Sequence, residues 1–99
     1  MWNKTEHDFG EVSKGVTLVT EFIYTGNKEV LEIEPLCSCV GYTFKDNLLT
    51  LRWAVKKNPV LSFDSEKVTM IVYKDKSIDD LKLLAYINVR YKLQRRLFH

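Results

Sequence analysis

A chain of 99 residues leaves room for one domain and one core, not for a multidomain enzyme. Its 45% hydrophobic and 28% charged content fits neither a disordered segment nor a membrane-embedded one. Fifteen basic against thirteen acidic side chains give +2, too small a bias to mark a nucleic-acid binder.

The opening residues Met1 to His7 carry charges and no apolar run, so no secretory signal is read there. No window approaches the roughly 20 apolar residues of a membrane helix. The expected location is therefore the cytoplasm or, for a chain that leaves inside a larger particle, a virion. Next come His7, Asp8, Phe9 and Gly10, followed by Glu11 and Val12. Gly10 suits a backbone conformation closed to other residues, Phe9 can plug one end of a core, and Asp8 can bond nearby amides. His7 beside Asp8 is also half of a catalytic dyad. With no Ser in a G-x-S-x-G setting, the structural role is preferred.

From Val16 to Tyr24 the pattern alternates: Val16, Leu18, Thr20, Phe22 and Tyr24 share one face, and Thr17, Val19, Glu21 and Ile23 the other. A turn follows at Thr25-Gly26-Asn27-Lys28, where Gly and Asn tolerate positive φ. Val30 to Ile33 reads as a short strand stopped by Pro35. Cys37 and Cys39 flank Ser38. In an extended strand residues i and i+2 are about 6.5–7 Å apart, the outer limit for a disulfide, so two free thiols are expected in a reducing compartment. Two thiolates on one face are also the start of a zinc or copper(I) site. The histidines His7 and His99 are the remaining candidate nitrogen ligands.

Gly41 to Phe44 predicts a brief strand, and Lys45-Asp46-Asn47 a turn. Leu49, Leu51, Trp53 and Val55 then alternate with Leu48, Thr50, Arg52 and Ala54 in a half-buried strand closed by Lys56-Lys57-Asn58-Pro59. Val68 to Tyr73 is a further strand, and Asp79-Asp80 falls in a solvated turn. Over the final strand, Leu81, Leu83, Ala85, Ile87, Val89, Tyr91 and Leu93 hold one face for thirteen residues, which overrides a rival helix starting at Ser77. About seven short strands with Gly, Asn, Asp and Pro punctuation predict an all-β fold, an Ig-like antiparallel β-sandwich. The sandwich is expected over residues 1–93, with a basic tail over 94–99. The cysteines are too close in sequence for the inter-sheet disulfide of immunoglobulin domains.

The His7-Asp8-Phe9-Gly10-Glu11-Val12 motif, the aromatic strand into Tyr24-Thr25-Gly26, and Cys37-Ser38-Cys39 after Leu31-Glu32-Ile33 together resemble a known family. It is a bacterial and phage family of Ig-like domains with HDFG and C-G-C motifs, related to the ASPM/Hydin and major-sperm-protein-like domains. The likeness covers the first half of the chain. Ser38 stands where the family has Gly, and Tyr24 where it has Asn. The resemblance implies a fold and no activity.

The sequence contains no phosphate loop, dinucleotide fingerprint, H-E-x-x-H or EF-hand pattern. No enzyme, cofactor or small-molecule substrate is expected. Arg90, Lys92, Arg95 and Arg96 stand in a final stretch without an acidic residue, and Leu97 and Phe98 add apolar anchors. Such an end can dock on an acidic partner groove, or less readily on a phosphate backbone, or it is simply a frayed, solvated end; Leu97 and Phe98 tilt the reading toward docking. Outward-facing Val19, Ile23, Leu84 and Tyr86 can broaden a contact at a sheet edge, or belong to the second face of a strand buried on both sides. The leading expectation is a non-enzymatic module with protein partners in a larger assembly: a bacteriophage virion accessory protein (head decoration, connector or tail). The alternatives are a bacterial binding domain using Cys37 and Cys39 for metal or redox chemistry, and a nucleic-acid binder acting through the tail.

Overall fold

The computed structural model describes residues 1–89, which form seven strands and no helix. They are β1 (Glu6–Ser13), β2 (Thr17–Ile23), β3 (Val30–Pro35), β4 (Val40–Lys45), β5 (Leu48–Ala54), β6 (Phe63–Tyr73) and β7 (Ile78–Asn88). One sheet has the order β1-β7-β6-β3 and the other β2-β5-β4. The expected all-β, Ig-like sandwich of about seven strands is what the chain builds. Strictly antiparallel pairing fails at one place among the described residues, since β1 runs parallel to β7.

Period-two alternation explains the core. Leu49, Leu51 and Trp53 of β5 face Phe22 and Thr20 of β2 on one side of the interior. Thr69, Ile71 and Tyr73 of β6, with Leu81, Leu83, Ala85 and Ile87 of β7, line the other. All are buried, so each strand offers one dry face and one wet face. Rings bridge the two sheets: Phe9 meets Trp53 edge-on at 6.4 Å, and Tyr24 meets Tyr73 at 5.7 Å. Trp2 closes this end of the core. Its indole Nε1 donates to Tyr73 Oη at 2.8 Å, and Tyr73 Oη donates to Asp79 Oδ2 at 2.6 Å. Burial, then the bond to Asp79, pushes the Tyr73 phenol well above its ordinary ionisation range.

Several expectations change. The opening motif lies in a full strand, β1, and β6 begins at Phe63, five residues before the expected start. Its first half had no apolar alternation because Phe63 is followed at the inward positions by Ser65 and Lys67, the latter covering the Trp53 ring at 5.9 Å. Asp79 and Asp80 are in β7, not a turn; Asp79 points inward to Tyr73 and Asp80 is exposed. Pro35 ends β3 from within, as an edge strand permits. The turn after Tyr24 exists, but Gly26 has no positive φ. Glycine is needed there for space, since a Cβ would lie 2.5 Å from Tyr24 Oη. Positive φ occurs instead at Asp46 and Asn47, the two-residue loop joining β4 to β5.

Cys37 and Cys39 form a disulfide rather than two free thiols. The expectation assumed an extended backbone. The chain bends here to pass from β3 in one sheet to β4 in the other, which shortens Cα–Cα to 5.1 Å.

Candidate interaction surface

The opening motif is structural in its geometry. Asp8 Oδ1 accepts a 2.8 Å bond from the Gly10 amide, and Gly10 takes φ 73°. Between Asp8 and Glu11 the pairing with β7 shifts, so β1 carries a bulge next to Phe9, which packs against the core. His7 stacks edge-on to Phe9 at 4.6 Å and receives Lys4 Nζ at Nδ1, 3.0 Å away. Burial foremost, then the Lys4 charge, holds the His7 pKa below its ordinary value against the pull of Asp8. Lys4 also reaches Thr20 Oγ1 at 3.0 Å, so its ammonium links the His7 imidazole to the Thr20 hydroxyl.

The crossover bearing Cys37 and Cys39 is held by backbone bonds from Val40 to Cys37 and from Ala54 to Cys39. Both cysteines are half-buried against the core edge. Among the described residues no three His, Cys, Asp or Glu side chains are grouped to hold a metal ion. Arg90, Lys92, Arg95, Arg96, Leu97 and Phe98, together with the boundary expected at residue 93, lie outside the described residues.

The register places a distinctive surface on the outer face of the four-stranded sheet. Val68, Met70 and Val72 of β6 and Ile78, Leu84 and Tyr86 of β7 point away from the core and form an apolar stripe. Ile78 is 54% exposed and Tyr86 40%, far beyond what the inward residues show. Around the stripe stand Glu6, Asp8 and Glu11 of β1, Asp64 and Glu66 of β6, Glu32 and Glu34 of β3, and Asp80 of β7. Lys82 is the one base among the outward positions of these four strands. Beside the β1 bulge the face dips into a concavity of about 490 Å³. Leu84 and Tyr86 form its floor, and Asp8, Glu11 and Asp64 its walls. Exposed Val60 and Leu61 adjoin it past Tyr86.

The outer face of β2-β5-β4 differs. Val19, Ile23 and Leu48 are exposed there, among Thr17, Thr43 and Thr50, with Glu21, Arg52 and Lys45 nearly balanced in charge. Val19, Ile23 and Tyr86 are thus solvent-facing, not buried on a second side; Leu84 is half-covered. Leu84 and Tyr86 were visible from alternation alone. The acidic rim was not, because its members come from four strands whose neighbours only the topology reveals. Pairing of β1 with β7 in particular brings Asp8 and Glu11 next to Leu84 and Tyr86.

Together the fold and this surface define the class: a small β-sandwich module with one apolar, acid-rimmed sheet face. Among the described residues no helix is long and apolar enough to cross a membrane. Comparison of the chain with models of known families and with curated proteins finds no match.

Proposed function

We propose that this protein is a non-enzymatic structural module that works through protein–protein contact inside a larger assembly, as a bacteriophage virion accessory protein at the head, connector or tail. The observation that supports this reading is the outer face of β1-β7-β6-β3. Its apolar stripe runs through half-buried Met70, Val72 and Leu84 to exposed Ile78 and Tyr86, and a lone soluble domain gains nothing by leaving it uncovered. The suggested kinship with bacterial and phage Ig-like domains fits the same role. The test is fractionation of a lysate from cells producing the full chain in its native context. Cosedimentation with a large particle is expected; recovery only in the free, low-mass fraction would sink the proposal.

A second reading is favoured by the Cys37–Cys39 bridge, which a dithiol reductant would convert, by exchange and its own oxidation, into a thiol pair for redox or metal chemistry at the crossover. Thiol–disulfide exchange with a dithiol reporter, compared with Cys37→Ser/Cys39→Ser, tests the redox form. Metal analysis of the reduced protein tests the other. Equal exchange rates and no stoichiometric metal would eliminate it.

A further inference from the structure

We propose that the apolar, acid-rimmed face of the four-stranded sheet is the docking site for the Arg90–His99 segment of a second copy of this chain, so that copies join face to terminus. The inference rests on the assembly reading above and names the partner of its surface. Two independent properties of the face must be matched by its occupant. The stripe Val68, Met70, Val72, Ile78, Leu84 and Tyr86 needs apolar side chains against it. The rim requires positive charge, because its eight carboxylates (Glu6, Asp8, Glu11, Glu32, Glu34, Asp64, Glu66 and Asp80) face one lysine.

Residues 90–99 carry both properties in ten positions. Arg90, Lys92, Arg95 and Arg96 supply four cations with no acid, while Tyr91, Leu93, Leu97 and Phe98 supply the apolar groups. All thirteen acidic residues lie before residue 90, so the two ends of the interaction have opposite sign within one sequence. Length agrees as well. Ten residues extended reach about 33 Å, comparable to the eleven-residue span of β7 that forms the floor of the face. In the concavity beside the bulge, a guanidinium can pair with Asp8, Glu11 or Asp64 while lying over the Tyr86 ring.

A second copy is favoured over the same molecule by turn chemistry. To return onto its own face, the chain leaving β7 must reverse sharply, and tight reversals use Gly, Pro, Asn or Asp. None occurs between Val89 and His99. A contact between two different patches of the same chain is heterologous, which suits head-to-tail joining or attachment around a ring.

Sedimentation velocity of the full chain over a concentration series tests this. At about 0.01 M salt, where screening extends about 30 Å, self-association rising with concentration is expected; at about 1 M salt, where it extends about 3 Å, association is lost. Asp64→Lys/Glu66→Lys on the face and Arg95→Glu/Arg96→Glu in the terminal segment each weaken association roughly tenfold or more. Mixing the two variants restores it, since the unaltered acidic face of one meets the unaltered basic terminus of the other, and the introduced lysines can also pair with the introduced glutamates. That mixture also guards against misfolding of either variant. A wild-type chain that stays monomeric at every concentration overturns the proposal, and means that the face is covered by its own terminus or by a different basic partner. Association indifferent to both variants, or a mixture that stays monomeric, overturns it equally. Failure of the lysate experiment leaves this measurement standing, because it is made on the purified chain alone.

Discussion

Tyr73 ties Trp2 to the four-stranded sheet through one oxygen. Its hydroxyl receives the Trp2 indole N–H and donates to Asp79, and its ring packs on Tyr24 under the Lys28 ammonium. Tyr73→Phe keeps the ring but leaves the buried indole N–H without an acceptor. The expected loss is about 1–3 kcal/mol in urea unfolding, with a shifted Trp emission; an unchanged midpoint would mean that Trp2 finds another partner. Because the folded phenol ionises well above the ordinary tyrosine value, stability is fully present below about pH 10. It falls as pH rises beyond that, where only the unfolded chain gives up this proton. His7 behaves in the opposite sense. Its folded pKa is depressed, chiefly by burial and then by Lys4, so the unfolded chain binds the proton more readily. Its contribution is present above about pH 6.5 and fades as pH falls through the folded value. Urea midpoints from about pH 7.5 to about pH 5.5 therefore decline, and His7→Gln flattens that slope. A slope the same in both proteins would remove His7 as its source.

Elements with strict alternation were legible from residues alone. β5 and β7 announce themselves through Leu49-Leu51-Trp53 and Leu81-Leu83-Ala85-Ile87, and the β4–β5 loop through Asp46-Asn47. β1 was hidden because its bulge breaks the period: His7 and Phe9 face inward, but the next inward residue is Val12, three positions on. The first half of β6 was hidden by polar inward residues, and the acidic face by its dependence on strand order. The crossover between β3 and β4 shows how small a loop the disulfide closes. A bridge spanning three residues contributes only about 1.6 kcal/mol by loop entropy, and the backbone bonds at Val40 and Ala54 hold the same crossover without using the sulfurs. Urea curves with and without reductant should differ by less than about 2 kcal/mol, both cooperative. A difference above about 4 kcal/mol would show that the crossover depends on the bridge.

Across the whole molecule, both charge and protection are unevenly spread. The central strands β6 and β7 bury Ile71, Leu81 and Leu83 completely, and β5 does the same with Leu49 and Leu51. β1, β2, β3 and β4 each have one unpaired side. Amide exchange followed by NMR should be slowest at these five residues and faster along β1 and β4. Equal protection of Val12 and Leu83 would show that the sandwich opens only as a unit. The same order of strands governs how the protein is made. β1 is the first of the seven strands to leave the ribosome, and its neighbour β7 is the last, about 65 residues later. At roughly 5–20 residues per second, β1 waits on the order of 3–13 s for the strand that completes its ladder. β6 needs β7 too, so a nascent chain cut short before Ile78 holds no finished sheet on that side. The four-stranded sheet therefore cannot close until β7 has been made, and products that stop before Ile78 should fall to proteases rather than compete with chains that contain β7.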